Sequence, residues 1–158
     1  MKKLSVLIAI LFSFHFGSAQ SGTEFKVITV VESIVPGGLG RSRLIENNTE
    51  LNIDDFTTER TDGKNSSMGK VKRKDAKIDA FNESKLLNFY SLVGINFQNI
   101  ASNDALITSK LNQMAEEGWE LAFVVSGVES DAGTREGDKG QSDGKGIFIT
   151  RFIFKRSR

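Results

Sequence analysis

The sequence predicts an α+β fold, in which one main helix packs on one face of a small antiparallel sheet of about four strands. Apolar residues recur every three or four positions across residues 103–117, which is typical of an amphipathic helix. Two β-rich segments, 24–35 and 146–156, alternate their side chains between two faces. A third apolar run, 121–129, follows the helix after a glycine and a tryptophan. Helix and strands together predict one folded domain.

The first 19 residues have the features of a secretory signal peptide. Lys2 and Lys3 precede an apolar run at 4–16 that is too short to cross a bilayer, and small residues follow at 17–19. We therefore expect a mature chain of residues 20–158 in the periplasm or outside the cell. No cysteine follows the apolar run, so a lipoprotein anchor is not expected, and no other stretch predicts a membrane span.

The composition of the mature chain excludes several classes of function. Loss of Lys2 and Lys3 leaves 19 basic against 20 acidic side chains, a net charge of −1, which gives no electrostatic case for binding nucleic acid. The only histidine, His15, lies in the predicted signal peptide, and the chain has no cysteine. Catalytic sites built on Ser-His-Asp or Cys-His, and the usual zinc sites, need those side chains. We expect no catalytic residues, no metal site and no cofactor.

Segment 24–35 predicts the first strand, with odd-numbered and even-numbered side chains on opposite faces. Pro36-Gly37 suits the centre of a type II turn, and residues 41–46 are predicted to return as a second strand. The glycine-rich stretch between them departs from the dinucleotide-binding pattern, because Arg43 stands where the third glycine is needed. A plain hairpin is the better interpretation.

Residues 47–80 are polar and show no sustained period, which predicts a long loop or insertion with only short elements. Basic residues at 70–77 are offset by neighbouring acidic ones, which favours a solvated surface. Segment 81–101 is apolar again. The apolar residues Leu86, Phe89, Tyr90 and Val93 predict a short helix that Asn82 begins and Gly94 ends, followed by an irregular stretch. So much apolar surface is expected to cover the sheet or to contact another chain.

The main helix is predicted over 103–117, capped by Ser102 or Asn103 and ended by a left-handed Gly118. Trp119 is expected to close the end of the core, with ligand stacking as the alternative. The strand at 121–129 is apolar on both faces, so it is predicted to lie centrally in the sheet with one face under the helix.

Residues 130–145 are rich in glycine and in charges of both signs, which predicts a flexible loop. Their acidic residues lack the spacing of an EF-hand calcium loop. The last strand, 146–156, carries three phenylalanines on one face and three isoleucines on the other. It is predicted to run antiparallel to 121–129.

Three pieces of the chain resemble a small bacterial family called domain of unknown function 4177. They are a strand beginning FKV at 25–31, the segment LNQMAEEGWELAF at 111–123 and a closing strand ending IFKR at 152–156. EGWEL is the most specific part, and the match covers about half of the mature chain. The insertion at 36–101 and the loop at 130–145 depart from the family, which suggests an enlarged, exported version. The resemblance implies a helix on an antiparallel sheet and no mechanism, since the family carries no established activity.

The leading hypothesis for function is an exported, non-enzymatic module that binds a protein partner or forms a homo-oligomer. The missing histidine and cysteine and the apolar segment 86–100 motivate it. Edge strands of a small sheet are natural pairing sites.

Two alternatives stay open at this point. The chain could bind a small ligand or a glycan, with Trp119, Tyr90 or Phe97 as stacking surfaces and the loop at 130–145 as a lid. It could also be a hydrolase built on a carboxylate pair such as Glu117 and Glu120, although solvated charge is the ordinary explanation for such a pair.

Overall fold

The computed structural model describes residues 22–33, 41–91, 93–128 and 147–158. They form a five-stranded antiparallel sheet with one long helix over one face, which confirms the predicted α+β class. The predicted count of about four strands is wrong by one. The predicted signal peptide, the Pro36-Gly37 turn and the loop at 130–145 lie outside the described residues.

The sheet consists of five strands: β1 (Thr23–Ser33), β2 (Arg43–Glu46), β3 (Asn82–Lys85), β6 (Glu120–Val128) and β7 (Ile147–Ser157). Their order across the sheet is β3-β2-β1-β7-β6, and each neighbouring pair is antiparallel. A separate two-residue ladder joins β4 (Tyr90–Ser91) to β5 (Gly94–Ile95). Residues 47–80 contain two 3-10 turns, Ile53–Phe56 and Met68–Lys70, and a four-residue helix, α1 (Arg73–Ala76). The main helix is α2 (Phe97–Glu116).

The two long strands β1 and β7 form the centre of the sheet and pair along their whole length, from Thr23–Ser157 to Ser33–Ile147. The predicted alternation along β1 is confirmed, because Ile28 and Val30 are buried beneath α2 while Phe25 and Val27 are exposed on the opposite face. Burial of these apolar groups supplies most of the favourable free energy of folding. The core consists of Ile28, Val30, Leu44, Leu86, Met114, Trp119 and Phe154, with Ile107, Leu111 and Phe152 packed against it.

Helix α2 begins six residues before its predicted start. Asn96 caps it, since its side-chain oxygen accepts hydrogen bonds from the backbone N–H groups of Gln98 and Asn99. The caps predicted from sequence, Ser102 and Asn103, lie inside the helix. Asn96 is held in place by the hydrogen bond that its backbone N–H donates to the carbonyl of Phe89 at 2.7 Å, a contact that the periodic pattern does not predict.

The end of α2 follows the prediction closely. Gly118 has a φ of 80°, a left-handed conformation that glycine adopts without a steric penalty. Its N–H donates to the carbonyl of Ala115 at 3.0 Å, and the N–H of Trp119 donates to the carbonyl of Met114 at 2.9 Å. This pair of hydrogen bonds is the Schellman motif, which satisfies the last carbonyls of the helix and turns the chain into β6.

The segment before α2 is the main error in the secondary-structure prediction. Residues 82–85 form β3, and residues 90–91 pair with residues 94–95 in the β4–β5 ladder, so the short helix predicted between Asn82 and Gly94 is wrong. β3 is polar and exposed, and it is a strand because β2 offers it a ladder of hydrogen bonds. Strand propensity of this kind depends on the neighbouring strand more than on the residues themselves.

Strand β6 occupies an edge of the described sheet and not its centre, so the predicted central position is wrong. Within the described residues it pairs with β7 alone, and the pairing register shifts between Leu121 and Phe123. Phe123, on the face away from α2, is 62% exposed, and Val124, on the helix side, is 52% exposed. An apolar pattern on both faces predicts burial, yet α2 does not cover this strand.

Candidate interaction surface

The face of the sheet opposite α2, which we call the outer face, carries a continuous set of apolar side chains. Cross-strand pairing places Phe123 beside Ile153, and Ile153 beside Val27. Phe25 is 60% exposed at one end of this face. The apolar members of the outer face are Phe25, Val27, Val31, Ile45, Phe123, Val125, Ile147, Ile149 and Ile153.

The outer face has an arginine near its middle. Arg151 on β7 lies between Val125 of β6 and Thr29 of β1, and its neighbours on the same face of β7 are Ile149 and Ile153. Arg151 is exposed and makes no ion pair with any residue that the structure describes. The face therefore presents a cation surrounded by apolar side chains.

The size of this surface is comparable with functional patches on other proteins. The three long strands β1, β6 and β7 have nine to eleven residues and are about 30 Å long or longer, and side by side they are about 14 Å across. The face therefore covers roughly 400 to 500 Å². The largest apolar patch on a monomer is usually about 300 to 600 Å² and is often functional.

Trp119, the first of the predicted contact residues, is buried, with 7% of its surface exposed. The guanidinium of Arg156 lies 4.2 Å from the centre of its ring, a cation–π contact. Two nitrogens of Arg156, Nε and Nη2, donate to Glu24 Oε2 at 3.1 and 3.0 Å, which fixes the guanidinium in place. A ligand could stack on this ring only by displacing Arg156.

An open cavity of about 470 Å³ lies beside Trp119 and Arg156. Glu117, one of the two carboxylates considered for hydrolysis, lines it. Glu120, the other, lies on the outer face, where its Oε1 is 3.5 Å from the Nζ of Lys155. Glu120 is not among the residues that line the cavity, so the two carboxylates do not meet there. The other residues that line the cavity are Glu24, Phe25, Lys26, Val27, Asn47, Asn48, Thr49 and Glu50.

Tyr90 and Phe97, the other predicted contact residues, lie near the start of α2. Tyr90 is half-buried and pairs with Ile95. Phe97, the first residue of α2, is 75% exposed. A helix of 20 residues is about 30 Å long, so these residues are separated from Trp119 by the length of the helix. The structure does not bring the three aromatic residues together into one site.

A partly buried charge cluster connects the sheet to α2 on the helix side. Glu46 of β2 contacts Lys26 of β1 through Oε1 at 2.5 Å and Lys110 of α2 through Oε2 at 2.7 Å. Burial alone would raise the pKa of Glu46, but the hydrogen bonds from Lys110 and Lys26 outweigh it and hold that pKa below its ordinary value. Both carboxylate oxygens are occupied, which indicates a structural role.

Asn103 makes a second polar connection beneath α2. It is fully buried, and its Oδ1 accepts from the backbone N–H of Leu87 at 2.7 Å. Its Nδ2 donates to the carbonyl of Leu87 at 2.8 Å and to Glu32 Oε1 at 3.0 Å. Burial raises the pKa of Glu32, an effect that the hydrogen bond from Asn103 opposes in part.

The described residues hold no group of three or more acidic, histidine or cysteine side chains arranged to bind a metal ion. In the same part of the chain, no helix combines the length and the apolar character needed to cross a bilayer.

Comparison with models of protein families, with curated proteins and with solved structures finds no match to this chain. The resemblance to the domain of unknown function 4177 stays a prediction.

Sequence reasoning missed Arg151 and Phe123 as candidate contact residues. Arg151 interrupts an alternating row of isoleucines at 147, 149 and 153, and that interruption is the signal that could have found it. The position of Arg151 beside Val125 and Thr29 depends on the pairing of three strands, which the sequence pattern does not supply.

Proposed function

We propose that this chain is an exported, non-enzymatic protein that binds a protein partner through the outer face of its sheet. The observation that carries the proposal is an exposed apolar face that crosses four adjacent strands, with Arg151 near its middle. The signal-like segment at 1–19 supports export.

The chemistry of the outer face indicates the kind of partner. Binding energy in protein interfaces concentrates in a few residues near the centre, and arginine and aromatic side chains are enriched among them. Arg151 is such a central residue, and Phe25 and Phe123 contribute large apolar areas beside it. A complementary partner carries an apolar surface with a carboxylate that reaches the guanidinium, since a buried cation without a counter-charge is costly.

Site-specific photo-cross-linking in the cells that produce the protein tests this proposal. A benzophenone amino acid is placed at Phe123 on the outer face, or at Asn112, which is exposed on α2 and serves as the matched control. We expect a defined cross-linked protein from position 123 and none from position 112. We further expect Arg151→Glu, combined with the probe at 123, to remove it. Equal cross-linking from both positions, or from neither, would contradict the proposal.

The alternative function is binding of a small ligand or a glycan in the cavity beside Trp119. The observation in its favour is the position of the cavity next to the only tryptophan of the chain. Binding that displaced Arg156 would change the fluorescence of Trp119. Titration with neutral oligosaccharides therefore tests this alternative, and an unchanged emission spectrum counts against it.

A further inference from the structure

Strand β1 is longer than the strand that pairs with one of its edges. β7 pairs with β1 along its whole length, but β2 pairs with it only from Ile28 to Val31. The first five residues of β1, 23–27, therefore have no paired strand on the β2 side within the described part of the chain. We call this stretch the open edge. Residues in a strand are about 3.4 Å apart, so the open edge is about 17 Å long.

A local turn after β2 diverts the chain away from the open edge. The Oδ1 atom of Asn47 accepts a hydrogen bond from the N–H of Thr49 at 3.0 Å, and its Nδ2 donates to the carbonyl of Thr49 at 2.8 Å. Asparagine side chains that bond the backbone two residues ahead are typical of turns. Thr49 also donates through Oγ1 to the carbonyl of Ala80 at 3.3 Å, which connects it to a different segment. The space between this turn and β1 is the cavity of about 470 Å³ beside Trp119.

The hydrogen bonds at the two ends of β1 show which of its backbone groups point to the open edge. Ser33 bonds on the β2 side, since its N–H donates to the Oγ of Ser42, the residue before β2, at 3.0 Å. Gly22 bonds on the β7 side, since its carbonyl accepts from the N–H of Arg158 at 2.8 Å. Alternate residues of a strand direct their N–H and C=O groups to the same edge. Phe25, which lines the cavity, therefore directs both of its backbone groups to the open edge.

The charges around the cavity favour a positively charged ligand. Both basic residues that line it, Lys26 and Arg156, already pair with a glutamate. The carboxylates of Glu50 and Glu117 also line it, and neither makes an ion pair with a residue that the structure describes. Glu117 directly follows α2, at the end of the helix that carries a partial negative charge. Two carboxylates are thus available to a lysine or an arginine of a ligand.

We propose that an extended segment of a partner protein adds to the open edge as an antiparallel strand and presents a lysine or an arginine to Glu50 and Glu117. Backbone hydrogen bonds give such strand addition its affinity, and alternate side chains give it specificity. A residue opposite Phe25 lies on the outer face beside apolar side chains, and its two neighbours lie on the side of α2. The segment that fits therefore alternates apolar and basic residues. The inference goes beyond the proposed function, since this contact uses the backbone of β1 and not Arg151.

Two N-methylated peptides test the strand addition. The probe is acetyl-Val-Lys-Val-Lys-amide, titrated into the isotope-labelled mature protein and followed by the NMR signals of the backbone amides. With a valine opposite Phe25, both valines direct their N–H groups to β1 and both lysines direct theirs away. N-methylation of the valines removes these donors, and N-methylation of the lysines is the matched control. We expect a shift of the Phe25 amide, and at least about 10-fold weaker binding by the valine-methylated peptide than by the control.

Three results of this titration would overturn the inference. Equal affinity of the two methylated peptides would mean that charge alone holds the probe. No shift of the Phe25 amide with the unmodified probe at about 1 mM would mean that the open edge does not accept a strand. Shifts around Trp119 with a neutral oligosaccharide and none with the peptide would favour the alternative function. The outer face takes no part in this test, so the photo-cross-linking above decides the proposed function separately.

Removal of the two carboxylates tests the recognition of a basic side chain. The double variant Glu50→Gln and Glu117→Gln should bind the unmodified probe about five-fold more weakly, because each exposed ion pair contributes little. The matched control is the double variant Asp55→Asn and Glu59→Gln, which removes the same charge from exposed positions that do not line the cavity. Equal affinity of the two double variants would overturn the proposed recognition.

Discussion

Replacement of Asn103 by alanine removes the side chain that connects three separate segments. Asn103 is fully buried on α2, and its amide makes two hydrogen bonds to the backbone of Leu87 and one to Glu32 of β1. Asn103→Ala leaves the N–H and the carbonyl of Leu87 without these partners beneath the helix. It also leaves the partly buried Glu32 carboxylate without its amide donor.

The expected cost follows from these three bonds. A neutral hydrogen bond contributes about 1 kcal/mol, and a bond to a charged acceptor contributes about 1.5 to 3 kcal/mol. The three bonds of Asn103 therefore contribute about 4 kcal/mol to the free energy of unfolding. Single domains are stable by about 5 to 15 kcal/mol, so the loss is a large fraction of the total.

Urea denaturation at a fixed protein concentration measures this loss, because any association would shift the midpoint with concentration. Asn112→Ala is the matched control, since Asn112 lies on the exposed side of the same helix and its replacement should change stability by less than about 0.5 kcal/mol. A cost below about 1 kcal/mol for Asn103→Ala would falsify the reasoning. Equal losses of stability in Asn103→Ala and Asn112→Ala would also contradict the reasoning.

Three further predictions concern the charge cluster, the end of α2 and the core. Glu46 has a lowered pKa, so its contribution to stability is present above its ordinary pKa and is lost as pH falls through the lowered value. Glu46→Gln should therefore lower the free energy of unfolding by about 1 to 2 kcal/mol at neutral pH and reduce its dependence on pH on the acid side. Urea unfolding from about pH 3 to pH 7 measures both effects. Gly118→Ala should lower stability by about 1 to 2 kcal/mol, measured by thermal unfolding. The cost comes from the left-handed backbone alone, since an added Cβ meets no atom within 4 Å. Gly127→Ala is the control and should be neutral in the same assay, because Gly127 does not have that backbone conformation. Trp119→Ala should cost about 3 to 5 kcal/mol in urea, and a cost below about 1 kcal/mol would show that the ring is not part of the core.

Features that depend only on residues close to one another in the sequence were predictable from the sequence. The end of α2 follows from Gly118 and the apolar period before it, and both act within one helical turn. The two faces of β1 and β7 follow from strict alternation, because a strand turns successive side chains to opposite sides. These elements required no knowledge of the rest of the fold.

Features that depend on strand pairing were not predictable in the same way. β3 has a polar sequence and becomes a strand through its pairing with β2. β6 has the composition of an interior strand, but composition does not determine the strand order that places it at an edge. The position of Arg151 among apolar side chains needs the registers of β1, β6 and β7 together, so the candidate surface emerged only with the structure.

The central ladder also has a consequence for when the chain can fold. Thr23 of β1 lies opposite Ser157 of β7, so the longest pairing in the sheet joins segments separated by more than a hundred residues. Contacts of such high sequence separation form slowly, because the closure of a long loop must precede them. During synthesis, β1 cannot acquire its main partner until residues 147–157 have left the ribosome. The five-stranded sheet therefore cannot be completed until nearly all of the chain has been made.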